Sequence, residues 1–337
     1  MNNPIFTPKQ YKSKLDVMET EIAIKKIKDC FENCFAEVLH VTKISAPMIL
    51  KQGKGLNDNL NGVERTVSFD ALDLDNSTVE IVQSLAKWKR VALARYGFSE
   101  NEGIYTDMRA IRRDEILDNL HSLYVDQWDW EKVIAKDQRN LYTLKTEVLK
   151  IYDVMKATES FIKKLYPVLT PMLPEEINFI TTKELEALYP HYSPKEREDI
   201  IAKKYGAVFI MQIGGELPSG QKHDGRSPDY DDWELNGDMI FWYPVLEKAI
   251  EISSMGIRVD ESSLLYQLKA ARKESRKSLE YHQLVLDGRL PYTIGGGIGQ
   301  SRLCMFLLGK SHIGEVQSSV WDDQVIKDCK KNNIHLL

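Results

Sequence analysis

Residues Pro291–Gly309 read PYTIGGGIGQSRLCMFLLG, and no other stretch restricts the fold so tightly. Gly295, Gly297 and Gly299 occupy alternate positions, Arg302 follows three residues later, and an apolar run begins at once. Successive side chains of a strand point to opposite faces, so three alternating glycines strip one face bare. The phosphate-binding P-loop needs Lys-Ser or Lys-Thr after its glycines, and none is present. The dinucleotide fingerprint G-x-G-x-x-G fails as well, because Gly297 is followed at the required spacings by Gly299 and then Arg302. What remains is G-x-G-x-G-x-x-R. Two readings stay open: a bare floor for a flat base with Arg302 reaching phosphate oxygens, or a glycine-rich turn closing against a neighbouring strand.

Around this stretch the chain alternates helical patterns with short strand-like runs. Leu15, Met18, Ile22, Ile27, Phe31, Cys34 and Val38 recur as one helical stripe. Leu85–Tyr96 predicts a helix stopped by Gly97. Asp137–Tyr166 predicts a long helix with Leu141, Leu144, Val148, Ile151, Phe161 and Leu165 inward. Ser193, Pro194, Glu196 and Gly206 punctuate another. Strand-like runs are Val67–Phe69, Leu123–Trp130, Ala207–Ile213, Met239–Tyr243 and Ala249–Ile252, with a polar loop at Lys51–Gly62. Several follow one another through turns, which favours an antiparallel sheet, and the expectation is a single α+β domain over residues 1–337. A net charge of −5 argues against a general nucleic-acid binder. Cys30, Cys34, Cys304 and Cys329 lack zinc spacing and read as free thiols. The first residues carry no signal-peptide pattern and no run spans a membrane, so the expected location is the cytoplasm.

The G-x-G-x-G-x-x-R pattern resembles the third signature motif of the class II aminoacyl-tRNA synthetases, here at about 291–309. Their second motif is similar to residues 107–131, where AIRRDE (Ala110–Glu115) places Arg112 and the returning HSLYVDQWDWE places Gln127, Asp129 and Glu131. Their first motif, a helix and a strand ending in proline, resembles about 13–48 with Pro47. Gln83–Lys89 (QSLAKWK) is similar to their substrate-site helix, and Glu251–Arg258 (EISSMGIR) to their metal and substrate segment. These blocks, with SPDYDDW at 227–233, look like the ammonia-dependent asparagine synthetases, the aspartate–ammonia ligases. Arg113 and Ile111 depart from the synthetase pattern beside Arg112. The resemblance implies a class II synthetase-like antiparallel β-sheet flanked by helices, no anticodon-binding domain, and a homodimer.

It also implies a chemistry: ATP-dependent, AMP-forming synthesis of L-asparagine from L-aspartate and ammonium, through a β-aspartyl-adenylate, with Mg²⁺. A carboxylate must be activated before ammonia can attack it, and charge develops on phosphorus oxygens, where cations should be prepositioned. Arg112 and Arg302 are the expected catalytic cations, and Arg112, Val125, Gly295, Gly297, Gly299 and Arg302 the expected ATP site. Asp238 and Glu251 are the expected Mg²⁺ ligands, on neighbouring strands if the segment through Pro244 is a hairpin turn. Lys89 and Arg258 are expected to grip the α-carboxylate of aspartate, aided by Ser84, Gln127, Asp129, Ser253 and Ser254. Asp58 and Asp231 are candidates to attract ammonium and take its proton. Neither Cys34 nor Cys304 sits in a glycine-flanked turn, so free ammonium rather than glutamine is the expected donor. No nucleic-acid or membrane partner is expected. Two other readings are a synthetase paralogue aminoacylating a different acceptor and an inactive binding module, although the latter would be expected to have lost Arg112, Arg302 or Glu251.

Overall fold

The computed structural model describes residues 5, 6, 8, 11–58, 60 and 64–337. Asn59, Asn61 and Gly62 of the expected polar loop, and Met1–Pro4, Thr7, Lys9 and Gln10 near the start, lie outside the described residues. In chain order the elements are α1 (Val17–Leu39), β1 (Val41–Lys43), β2 (Ile49–Lys51), β3 (Ser68–Ala71), β4 (Ser77–Ile81), α2 (Ala86–Tyr96), β5 (Gly103–Ile111), β6 (Tyr124–Val133) and α3 (Leu141–Leu165). Then come β7 (Asn178–Thr181), α4 (Thr182–Leu188), α5 (Pro194–Tyr205), β8 (Ala207–Met211), β9 (Asp231–Tyr243), β10 (Lys248–Arg258), α6 (Glu261–Ala270), α7 (Glu280–Leu286), β11 (Thr293–Gly299), α8 (Gln300–Leu308) and α9 (Asp323–Lys331). Eight strands form one sheet in the order β1-β5-β6-β11-β10-β9-β8-β7. Its interior pairings are antiparallel, and only the edge strands β1 and β7 pair in parallel. Strands β2, β4 and β3 make a separate three-stranded sheet.

An antiparallel sheet can pack one face and leave the other free. Here Phe31 and Phe35 of α1, Leu144, Val148 and Tyr152 of α3 and Phe306 of α8 pack with Trp128, Trp130, Phe209, Phe241, Met255 and Ile298 in one continuous core. The opposite face is covered at its flanks. Leu185 of α4 and Ile201 of α5 meet Val208, Ile210 and Ile240 at one side. Leu93 of α2 meets Ile104 and Val133 at the other. Between these flanks α2 reaches β6 and β11 through Lys89, and beside it the Gly297 and Gly299 end of β11 borders a cavity.

The caps follow the sequence signals. Ser193 and Glu196 form a reciprocal capping box at α5, Pro194 takes its first turn, and Gly206 closes it at φ 79°. Gly97 ends α2 in the left-handed conformation at φ 71°. The stripe expected for α1 divides, however. Met18 and Ile22 are exposed, at 66% and 51%, and Val38 is partly so. Ala23, Ile24, Phe35 and Leu39 take the buried positions instead. In α3 Leu165 is exposed in the last turn, while Tyr152, Met155 and Ile162 are buried. A 25-residue helix outruns the sheet beneath it, so its final apolar residue has nothing to cover. All four cysteines are free. Among the described residues no helix is long and apolar enough to cross a membrane.

Candidate active site

This cavity, of about 470 Å³, opens over the central strands. The sheet register explains its floor. Asp238, Ser254, Gly297 and Asp129 lie directly opposite one another across β9, β10, β11 and β6, and Gly256, Gly295 and Glu131 form the next row. Directly paired residues share a face, so four central strands deliver these groups to one side. Strand β10 contains a one-residue bulge: Ile252 and Ser253 together span the position opposite Met239. The slip changes which side subsequent residues face. Glu251 and Ser254, an odd number of residues apart, therefore both turn to the cavity, and Ser253 is buried on the core side.

Of the expected residues, Ser84, Arg112, Val125, Gln127, Asp129, Asp231, Asp238, Glu251, Ser254, Arg258, Gly297, Gly299 and Arg302 line this cavity. Four do not, each for a physical reason. Ser253 is turned inward by the bulge. Gly295 has no open space above it: a Cβ there would overlap the Glu131 carboxylate and lie 2.5 Å from the Trp130 carbonyl. Its bareness makes room for the protein's own carboxylate; a Cβ at Gly297 would likewise overlap the Gln127 amide, although Gly297 and Gly299 border the cavity. Lys89, on α2, is fully buried on the same side of the sheet as Asp129 and Glu131. Its ammonium donates to Asp129, to the Trp130 carbonyl at 2.7 Å and to the Gly296 carbonyl at 3.2 Å. Three donors are then spent on the protein itself in this arrangement, and Lys89 holds Asp129. Asp58 is buried behind the wall, accepting at 3.1 Å from Ser227, which lines the cavity.

One end of the cavity is a buried lattice of opposite charges. Arg258 donates to Glu131 at 2.7–3.1 Å and to Asp231, and Glu131 also accepts from Thr293 at 2.7 Å. Burial would raise the Glu131 pKa, but Arg258 and Lys89 outweigh it and hold the carboxyl below its usual range. Burial pushes Asp129 up despite Lys89 and pushes Lys89 down despite Asp129. Arg258 keeps one unspent hydrogen on each terminal nitrogen, so it can still accept a carboxylate from the cavity. Asp231 is committed to Arg258, and lies 3.6 Å from Arg226.

The opposite end gathers cations around two carboxylates. Arg302, in the first turn of α8, donates to the Glu251 carbonyl at 3.0 Å. The Arg112 Nε is buried without a hydrogen-bond partner, and its terminal nitrogen lies 4.0 Å from Glu115. Burial would raise the Glu251 pKa, but Arg302, Lys195, Arg226 and Arg112 together hold it low. Burial, with the Glu251 charge added, pushes Asp238 up to about 6 despite Arg226. The hairpin expectation holds: β9 and β10 are joined by a turn containing Pro244, and both carboxylates face the cavity.

A third cluster lies behind Asp58. Asp229 accepts from Ser227 at 2.7 Å, Arg276 at 2.8 Å and His282 at 2.9 Å, with Lys87 3.5 Å away. Lys87 and these partners outweigh burial and keep Asp229 strongly ionised. Asp58 is treated differently. Burial, with Asp229 repelling it, pushes it up to about 6 against the pull of Lys87, and its Oδ2 has no partner.

Residues 18–333 match the family model described as aspartate-ammonia ligase. The chain belongs to the aspartate–ammonia ligase family. Relatives in that family include the aspartate–ammonia ligase of Clostridium perfringens (strain SM101 / Type A), 61% identical over 99% of both chains. That of Ruminiclostridium cellulolyticum is 60% identical over 99% of this chain and 100% of the relative. Among solved structures, asparaginyl-tRNA synthetase from Pyrococcus horikoshii complexed with asparaginyl-adenylate superposes with a TM-score of 0.63 at 16% identity, over 88% of this chain and 68% of that one. This second likeness establishes the class II synthetase fold, as the motif spacing led one to expect. The motifs did not disclose two features of this site: Glu131 as the shared anchor of Lys89 and Arg258, and Arg226 in the cavity wall. The glycine pattern explains neither, and Arg226 stands one residue before the SPDYDDW block, outside it.

Proposed function

We propose that this chain makes L-asparagine from L-aspartate, ATP and ammonium in two steps within the one cavity. The carrying observation is its polarity: guanidinium groups beside a carboxylate pair at one end, and Arg258 with Asp129 and Asp231 at the other. An amino-acid zwitterion needs a cation for its α-carboxylate and an anion for its ammonium, and Arg258 and Asp129 supply them, with Gln127 and Ser84 beside them. Arg112 and Arg302 hold phosphate oxygens, and Val125, Gly297 and Gly299 border the base and ribose. In the first step the β-carboxylate oxygen bonds to the α-phosphorus, and the bond to pyrophosphate breaks with its electron pair. In the second, ammonia nitrogen attacks the acyl carbon and the C–O bond to AMP breaks. Ammonium gives one proton to Asp58, and the second is released as AMP leaves.

Asp238 and Glu251 fit Mg²⁺. They are hard oxygen ligands held close enough to repel, and the ion commonly completes its shell with phosphates and water. Among the described residues no cluster of three metal-ligating side chains exists, so such a completed shell is what the site requires. Bound there, Mg²⁺ would neutralise charge on the triphosphate. The exposed Met18 and Ile22 of α1 support a homodimer through the first-motif region; sedimentation of the 38.8 kDa chain as a monomer would remove that element.

The test is aspartate-driven ATP–pyrophosphate exchange without ammonium, followed by asparagine detection after ammonium is added. Absence of aspartate-driven exchange overturns the reading. The pH profile separates the steps. An acceptor must be ionised to take a proton, and burial raises Asp58 to about 6. Asparagine formation at saturating ammonium is therefore expected to decline as pH falls through about 6, and an inflection shared with the exchange reaction would belong to Asp238, which burial also raises to about 6. Asp58→Asn should remove the inflection and most amide formation together. Its persistence in that variant would exclude Asp58 as the acceptor.

A further inference from the structure

Between β8 and β9 the chain forms one wall of the cavity and carries Arg226, whose side chain is buried to 8% exposure. One terminal nitrogen donates to Asp238 at 2.7 Å and the other to Ser254. Its Nε, 3.6 Å from Asp231, is buried with no hydrogen-bond partner. A guanidinium has five N–H donors, so three remain unspent: Nε–H and one on each terminal nitrogen. A buried donor without an acceptor is costly, and in a cavity wall it is the mark of a group whose acceptor arrives with the ligand.

Position identifies that acceptor. Asp231, on one side of Arg226, is bonded to Arg258 at the amino-acid end. Asp238, on the other, stands with Glu251 at the phosphate end. No other arginine of the cavity contacts carboxylates of both ends. Resting on the functional reading above, we propose that Arg226 is a third arginine of the adenylation step, donating to the aspartate β-carboxylate and the α-phosphate where the two meet. The encounter sets one anion against another in a site shielded from water, and a planar two-pronged cation is the side chain suited to bridge two oxyanions. As the carboxylate oxygen bonds to phosphorus and pyrophosphate leaves with the electron pair of the broken bond, Arg226 keeps every proton. It lowers the repulsion on approach and the charge on the phosphorus oxygens at the transition state.

The experiment compares Arg226→Met and Arg226→Lys with the unaltered chain in aspartate-driven pyrophosphate exchange. The affinity for a non-hydrolysable ATP analogue is measured by calorimetry. The expected result is an exchange rate lower by about 10²–10³-fold in Arg226→Met. Arg226→Lys should lose less, analogue affinity should change little in both, and added methylguanidinium should restore saturable activity to Arg226→Met. A purely structural counter-ion to Asp231 and Asp238 would instead lower the melting temperature without rescue by the small cation, and that pattern overturns the proposal. So does an unchanged exchange rate, or a loss confined to analogue affinity. If Arg226→Met does not fold, Arg226→Lys carries the test: reduced rate with unchanged analogue affinity supports the proposal, and full rate overturns it. Failure of the unaltered chain to exchange removes the functional reading and this proposal with it. Exchange by the unaltered chain matched by Arg226→Met removes the proposal alone.

Discussion

Replacing Arg112 or Arg302 with alanine is expected to lower aspartate-driven pyrophosphate exchange by about 10²–10³-fold, equivalent to about 3–4 kcal/mol of barrier for one prepositioned donor. Both face the cavity beside the Glu251 carboxylate, and Arg112 keeps a buried Nε with no acceptor in the protein. On the proposed reading, such a group contributes little to the resting fold and gains its acceptor with the nucleotide. Stability should therefore change little in Arg112→Ala, while rate falls steeply. In Arg302→Ala a small loss of stability is expected as well, because its bond to the Glu251 carbonyl disappears. Equal exchange rates in the variant and unaltered chains would mean that these guanidiniums do not meet the triphosphate.

Glu131→Leu should be the most destabilising single change in the cavity floor, by about 3–5 kcal/mol, read from urea unfolding. Glu131 is fully buried, receives two guanidinium nitrogens of Arg258 and the Thr293 hydroxyl, and lies 3.6 Å from the Lys89 ammonium. Its removal leaves two desolvated cations sharing Asp129 and Asp231. Removing one partner of a buried ion pair costs more than the pair itself is worth, because the survivor stays out of water. Glu131→Gln should lose less, since its amide oxygen still accepts one bond. A loss below about 1 kcal/mol in Glu131→Leu would show that Asp129 and Asp231 already balance the lattice.

Much of this site is visible in the chain because its residues are unusual for their surroundings. Alternate glycines have few structural uses, and an arginine just beyond them at a helix start narrows those further, so Gly297, Gly299 and Arg302 could be placed before any fold was known. The spacing Gln127-x-Asp129-x-Glu131 was legible through the resemblance to the synthetase second motif, and the register puts all three on one face of β6. Depth was not legible. Nothing in KWKR distinguishes a lysine open to the cavity from one buried against three acceptors of the protein itself, because that depends on strands far away in sequence. Strands β9 and β10 proved longer than their apolar runs, since the cavity half of each is built from Asp, Asn, Ser and Gly. Met18 and Ile22 misled in the opposite sense: apolar residues at helical spacing show that a helix forms, not which side of it the domain covers.

The slip at Ile252 in β10 has a consequence for how this enzyme can change. Ironing out the bulge at the present chain length would recover an unbroken ladder, and by backbone criteria alone would be the better sheet. Yet everything from Glu251 back toward the hairpin would roll half a turn, driving a carboxylate into the aromatic interior and lifting Ile250 into the reaction space. Catalytic competence is thus stored as an imperfection in the scaffold. Length variation among descendants of this fold should be absorbed at the hairpin tips and kept out of the middle of this strand.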